Sequence, residues 1–230
     1  MDSGKYSELK KIVADSYEIT AEHFNSTRSK IAAADFRWAA EQIGADDKVF
    51  DAGCGNGRLL DYARIAPANY LGLDQSCNLL SFAKDAHPAH RFESGDLSSL
   101  GFLDNHDFSL VFCSAVISHI PGRKERIGVL KSFYEISSPE ARLVISFWKM
   151  KKKYRRQLLL NWWKKISGQS LYGWRDLVFP WKDRQGKEVS PRYYYCYRAG
   201  DFKKDIMAAG WKIKQIRDDR FNYWVIASKG

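Results

Sequence analysis

Val49-Phe50-Asp51-Ala52-Gly53-Cys54-Gly55-Asn56-Gly57-Arg58-Leu59-Leu60 sets an acid and three alternate glycines between an apolar pair and an apolar run at helical spacing. The pattern predicts a strand, a tight turn and a helix N-terminus. Glycine serves such a turn because the backbone must take conformations closed to other residues and come close to a ligand. A G-x-G-x-x-G dinucleotide fingerprint has its third glycine one place later; here that place is Arg58. Asp74 follows Gly53 by 21 residues at the end of the next predicted strand, where a carboxylate can accept from both hydroxyls of a ribose. Ser94-Gly95-Asp96-Leu97 sets another acid after a third strand, and His119 follows a fourth.

The elements that position these residues are legible in the hydrophobic pattern. Strands are expected at Val49–Ala52, Tyr70–Asp74, near His90–Ser94, at Phe108–Ser114 and at Arg142–Trp148. Helices are expected from the glycine turn to about Arg64, over Ser76–Asp85 and over Arg123–Phe133. Strands alternating with helices imply right-handed crossovers and a parallel sheet covered on both faces. Ligands bind such a sheet outside the carboxyl ends of its strands. Trp211–Arg217 and Tyr223–Ser228, separated by a polar turn, predict a terminal antiparallel hairpin. Tyr6–Ala40 is predicted helical, with a break at Phe24-Asn25-Ser26-Thr27-Arg28 and a further helix over Ser29–Ile43. Arg28 would then stand at a helix start, where the dipole disfavours a cation.

The chain of 230 residues suits one α/β domain, divided as an N-terminal helical lid (1–47), a core (48–148), an insertion (149–198) and a terminal helix and hairpin (199–230). No early apolar run follows the polar opening, and a soluble, cytoplasmic protein is the expectation. Cys54, Cys77, Cys113 and Cys196 form no C-x-x-C pair, so neither a metal site nor a disulfide framework is expected. Residues 1–115 carry 11 Lys and Arg against 17 Asp and Glu, whereas residues 116–230 carry 26 against 10. A net of −6 facing a net of +16 suggests a polyanion docked on the second half.

The spacing D-x-G-x-G-x-G over Asp51–Gly57, with Asp74 and Asp96 in order, resembles the class I S-adenosylmethionine (SAM) methyltransferases. That resemblance implies a Rossmann-like sheet and SAM as cofactor, with Asp96 accepting from the adenine amino group. The [DN]-P-P-[YF] motif of many nucleic-acid N-methyltransferases is absent. A closer resemblance spans nearly the whole chain. Tyr17-x6-Phe24-Asn25-Ser26-Thr27-Arg28, Ala115-Val116-Ile117-Ser118-His119, Arg123-x-x-Arg126, Val178-Phe179-Pro180-Trp181, Arg192-Tyr193-Tyr194-x-x-Tyr197-Arg198-x-Gly200-Asp201 and Asn222-Tyr223-Trp224-Val225 occur in order. The set resembles the eukaryotic tRNA wobble-uridine carboxymethyl methyltransferases, which esterify the carboxylate of 5-carboxymethyluridine. The chain departs from them in having Ser118 for a histidine, Gln75 for an arginine and a short Lys182–Pro191 linker.

The resemblance assigns Tyr17, Asp51, Gly53, Cys54, Gly55, Gly57, Asp74, Gln75, Asp96, Leu97 and Ser114 to the cofactor. It sets Arg28 and His119 beside the methyl acceptor, and Arg123, Arg192, Tyr193, Tyr194 and Asn222 near substrate or tRNA. It also implies tRNA as partner and a small zinc-binding activator protein. A carboxylate is already ionised near neutral pH, so catalysis by orientation is expected, with Arg28 and a His119 N–H holding the non-attacking oxygen.

Lys149–Arg198 exceeds what the core fold needs. Lys152, Lys153, Arg155 and Arg156 precede Trp162-Trp163-Lys164-Lys165, an interleaving of cations and aromatic rings that suits an RNA loop. A membrane-surface helix and plain packing of the tryptophans in a core are the competing readings. For the whole chain the alternatives are a methyltransferase for a small acidic metabolite and a SAM- and RNA-binding module with little turnover.

Overall fold

The computed structural model describes residues 3–28, 34–101, 103, 107–149, 154–168, 173–182, 185–218 and 222–230. Five parallel strands form the centre of a sheet: β1 (Val49–Ala52), β2 (Tyr70–Asp74), β3 (Arg91–Ser94), β4 (Phe108–Ser114) and β5 (Ser137–Trp148). With the terminal hairpin of β8 (Lys212–Asp218) and β9 (Asn222–Ser228), the seven strands run in the order β3-β2-β1-β4-β5-β9-β8. The last two pair antiparallel, β9 lying directly against β5. The strand order reverses between β1 and β4, so their carboxyl ends flank the crevice in which a ligand sits.

Near-continuous apolar strands demand cover on both faces. Phe50, Leu71, Val111 and Ile145 pack against α5 (Arg123–Glu135) and α7 (Ala199–Ala208) through Leu130, Phe133 and Phe202. On the other face, Val49, Leu110, Phe112 and Trp224 meet Phe36 and Ala39 of α3 (Ala34–Ala40) and Leu80 and Ala83 of α4 (Cys77–Ala86). Ser76 caps α4 by accepting from Leu79 N at 3.2 Å.

Two local expectations are corrected. After the glycine turn the chain makes only a single 3-10 turn, Arg58–Asp61, in place of a helix to Arg64. Pro67 closes the available length, and Leu59, Ala63 and Ile65 bury without a helical stripe. Arg28 ends α2 (Ala21–Arg28) rather than starting a helix, so its backbone lies at the end of the dipole that favours a cation. The Arg28 side chain and residues 29–33 lie outside the described residues.

The insertion has structure of its own: α6 (Arg155–Ile166) and a separate two-stranded sheet of β6 (Asp176–Lys182) and β7 (Glu188–Tyr195). Trp162 and Trp163 are exposed, Trp163 to 73%, which overturns their packing in a core. The hairpin is covered instead by α1 (Ser3–Ile19), whose Leu9 and Val13 pack on Tyr193. From the opposite side, Ser76 Oγ donates to Glu18 Oε2 at 2.6 Å and Asn78 Nδ2 donates to the Glu18 carbonyl at 3.1 Å. So α1 spans the strand ends, held by the insertion on one flank and by the start of α4 on the other.

The glycine turn tolerates little. Gly53 has φ +76°, and a Cβ there would lie 2.3 Å from Val116 Cγ2. Gly53→Ala is expected to lose about 2–4 kcal/mol, combining left-handed strain with overpacking. Urea unfolding checks this, and a loss below about 0.5 kcal/mol contradicts it.

Candidate cofactor and acceptor site

The strand ends, α1 and the insertion enclose a cavity of about 470 Å³, within the range of small-molecule sites. One end is acidic. Asp74 lines it and accepts from Gly55 N and Ser76 N, each at 2.9 Å. Burial raises the Asp74 carboxyl above its ordinary range, and the two N–H groups oppose this. Each oxygen still has a lone pair for a hydroxyl donor, which is the chemistry a ribose offers. Asp96 also lines this end, in an ion pair with Lys10 of α1 and accepting from Ser98 N at 2.9 Å. Burial works to raise its carboxyl, but Lys10 and Ser98 outweigh it and hold Asp96 below the usual range. Gly53, Gly55, Gln75, Leu79, Leu97 and Ser114 complete the wall, an apolar and hydrogen-bonding surface that fits an adenosine.

Several residues assigned to the cofactor do not face this space. Asp51 is buried beneath the turn, accepting from the Tyr70 hydroxyl at 2.9 Å. Burial pushes its carboxyl up to about 7, against the Tyr70 hydrogen bond. Cys54 is buried beside it, and Gly57 backs onto Ala83, His87 and Phe92. These three support the turn from behind. Arg58, absent from the assignments, does line the cavity, its guanidinium carbon 4.0 Å from the Phe36 ring centre.

At the other end His119, on a short 3-10 turn after β4, joins three elements. Its Nδ1 lies 2.9 Å from the Tyr193 carbonyl on β7, and its Nε2 lies 2.7 Å from the Tyr17 hydroxyl on α1. A carbonyl only accepts, so Nδ1 carries the proton and donates. Burial, then the nearby Arg192 cation, lowers the imidazole to about 3, although the Tyr193 carbonyl favours the charged form. The ring is therefore neutral near pH 7, and Nε2 accepts from Tyr17. This corrects the expected role: the N–H of His119 is engaged by the backbone and is not offered to an acceptor oxygen. A group with so low a pKa is not a general base for neutral-pH chemistry either.

Of the residues assigned to substrate or RNA, Arg192, Tyr194 and Asn222 line the cavity, as do Tyr17 and His119. Tyr193 does not: its ring is fully buried and its hydroxyl donates to Asp176 at 2.8 Å, so it is no surface for a nucleotide. Arg123 is tied to Asp205 at 2.7 Å outside the cavity wall. Arg155 and Arg156 are exposed on α6, and Lys152 and Lys153 lie outside the described residues. Sequence reasoning missed Lys10, Trp148, Tyr154 and Phe179, which reach the cavity only because α1 and the insertion fold over it.

The buried titrating groups act in opposite senses. Folded His119 binds a proton only near pH 3, against an ordinary 6.5, so between these the unfolded chain holds more protons and stability falls as pH is lowered. Asp51, at about 7 folded against 3.8, holds its proton in the folded chain, so stability falls as pH rises through that window. His119→Gln removes the first effect alone. Between pH 7.5 and 5.5 the variant should gain about 1.4 kcal/mol relative to the parent in urea unfolding; parallel pH profiles would contradict a neutral His119.

Comparison with known proteins agrees with this architecture. Residues 50–145 match a family described as a methyltransferase domain. The chain is 25% identical over 244 aligned positions to the tRNA (carboxymethyluridine(34)-5-O)-methyltransferase of Schizosaccharomyces pombe, covering 93% of this chain and 94% of that one. Among solved structures, a SAM-dependent methyltransferase from Methanosarcina mazei superposes with TM-score 0.65 at 20% identity, over 81% of this chain and 94% of the other. The CcbJ methyltransferase of Streptomyces caelestis gives TM-score 0.66 at 14% identity, over 93% and 97%. With the sheet order, the glycine turn and the acids at the strand ends, these findings make the chain a SAM-dependent methyltransferase of class I fold, with SAM as its cofactor, that resembles the tRNA carboxymethyluridine methyltransferase.

Proposed function

We propose that the protein methylates tRNA, forming the methyl ester of a 5-carboxymethyl-type wobble uridine. One observation carries the reading: the cavity that begins at Asp74 and Asp96 ends on a wall supplied by the basic insertion, with Tyr154, Phe179, Arg192 and Tyr194. The acceptor is thus met by the cationic half of the chain. The full-length similarity to the Schizosaccharomyces pombe enzyme supports the same acceptor.

When bound, SAM would supply an electrophilic methyl group, an S–CH3 bond being exchanged for an O–CH3 bond with the electron pair left on sulfur, so that no proton need move. The residues of the chain therefore need only bind and orient. Asp74 and Asp96 fix the adenosine, and α1 excludes water from above. The acceptor carboxylate must be gripped through one oxygen while the other stays free, since a tightly bound attacking oxygen is a blunted nucleophile.

Outside the cavity, α6 carries Arg155, Arg156, Lys164 and Lys165 and no acidic residue, beside exposed Leu159, Leu160, Trp162 and Trp163. Cations for phosphates next to open aromatic faces suit the unstacked bases of an anticodon loop.

Incubation with isotopically labelled SAM and tRNA bearing 5-carboxymethyluridine, followed by nucleoside mass spectrometry, should place the label in the methyl ester. Label entering small acids but no tRNA would establish the metabolite reading instead. Tight SAM binding without labelled product would establish a binding module. Binding of tRNA should weaken with log-log slope of about −3, for roughly four phosphates. Trp163→Ala should weaken it by about 1 kcal/mol or more without lowering Tm. A flat salt response, or equal affinity for neutral vesicles, would favour the membrane-surface reading of α6.

A further inference from the structure

Among the described residues Arg192 is a cation without a counter-ion. Its guanidinium carbon lies 3.4 Å from the centre of the Trp181 ring and 5.5 Å from that of Tyr194. Other arginines of this half of the chain are paired, Arg175 with Asp201 and Arg123 with Asp205; among the described residues Arg192 has no such pair. Its Nε is buried and meets no hydrogen-bond partner, while Nη1 makes a long hydrogen bond to the Tyr194 hydroxyl at 3.5 Å. A charged group half out of water with an unsatisfied N–H costs stability. Aromatic faces offset part of that cost, but they cannot accept along the Nε–H direction.

Three other polar groups of the wall are already engaged. The His119 N–H goes to the Tyr193 carbonyl, and the Tyr17 hydroxyl hydrogen goes to His119 Nε2. Lys10, a second cation on the wall, is held by Asp96 at the cofactor end. We propose that Arg192 is the anchor for the anionic group of the methyl acceptor, gripping one carboxylate oxygen while the His119–Tyr17 pair walls the pocket without donating to it. The identity of the anion rests on the carboxylate reading above; the existence of the anion site rests on the geometry of Arg192 alone. The grip then falls to Arg192, in place of the His119 N–H.

The test follows the Nε–H signal of Arg192 by NMR in the nitrogen-15-labelled protein with S-adenosylhomocysteine bound, assigned by its loss in Arg192→Lys. Titration with 5-carboxymethyluridine nucleoside should move the signal downfield and saturate, whereas its uncharged methyl ester should leave it in place. On carboxymethylated tRNA, Arg192→Met and Arg192→Lys should each lower kcat/KM by roughly 100-fold with SAM affinity within twofold. The inference is overturned if the carboxylate causes no saturable shift or the ester moves the signal equally. It is also overturned if inorganic phosphate shifts the signal and the carboxylate does not, which marks a contact to RNA backbone. A saturable shift without methylation of any tRNA leaves the anion site standing and removes the tRNA function. Esterification by Arg192→Met at the parental rate does the reverse, so the two failures are separable; unchanged thermal unfolding of Arg192→Lys excludes misfolding as the cause of its loss.

Discussion

A neutral imidazole holds the architecture of this site together. His119 bonds at once to α1, through the Tyr17 hydroxyl, and to β7, through the Tyr193 carbonyl. It stands after β4, so the sheet, the N-terminal helix and the insertion meet on one ring. Of the two neutral tautomers only the Nδ1-protonated one satisfies both partners, since the carbonyl must be given a proton and Nε2 then accepts from the hydroxyl. Burial and the Arg192 cation select the neutral ring.

Around this joint the cavity is electrically divided. Asp74 and Asp96 face one end and Arg192 the other, a separation that matches the polarity of the chain, acidic in its first half and basic in its second. In a partly enclosed space such charges act with less screening than at the surface. Hydroxyl and amino donors are favoured beside the acids and an anion beside the arginine.

The site is also where local strain is tolerated. Ala115, at the cavity end of β4, has φ 60°, a conformation costly for a residue with a Cβ. Its N–H donates to Ser146 Oγ at 2.8 Å, which fixes the bend. The bend sends Val116 against Gly53, so that the loop after β4 and the glycine turn are mutually fitted. Asp51 and Tyr70 add a buried hydrogen-bonded pair under the same turn.

The sequence by itself determined the sheet. Strands Val49–Ala52, Tyr70–Asp74 and Phe108–Ser114 follow from apolar runs, and the glycine turn and Asp74 follow from spacing, because these are local properties of backbone sterics and strand periodicity. It did not determine which side of a residue would face the cavity. Asp51 and Tyr193 carry the expected motif positions, yet both turn inward to satisfy buried partners, Tyr70 and Asp176. Nor could it show that Lys10 would reach Asp96, 86 residues away, or that Arg192 would have no counter-ion among the described residues. Tertiary structure alone decided those points: the tautomer of an imidazole, the pairing of a cation and the roofing of a pocket depend on elements distant in the chain, whose meeting has no local signature.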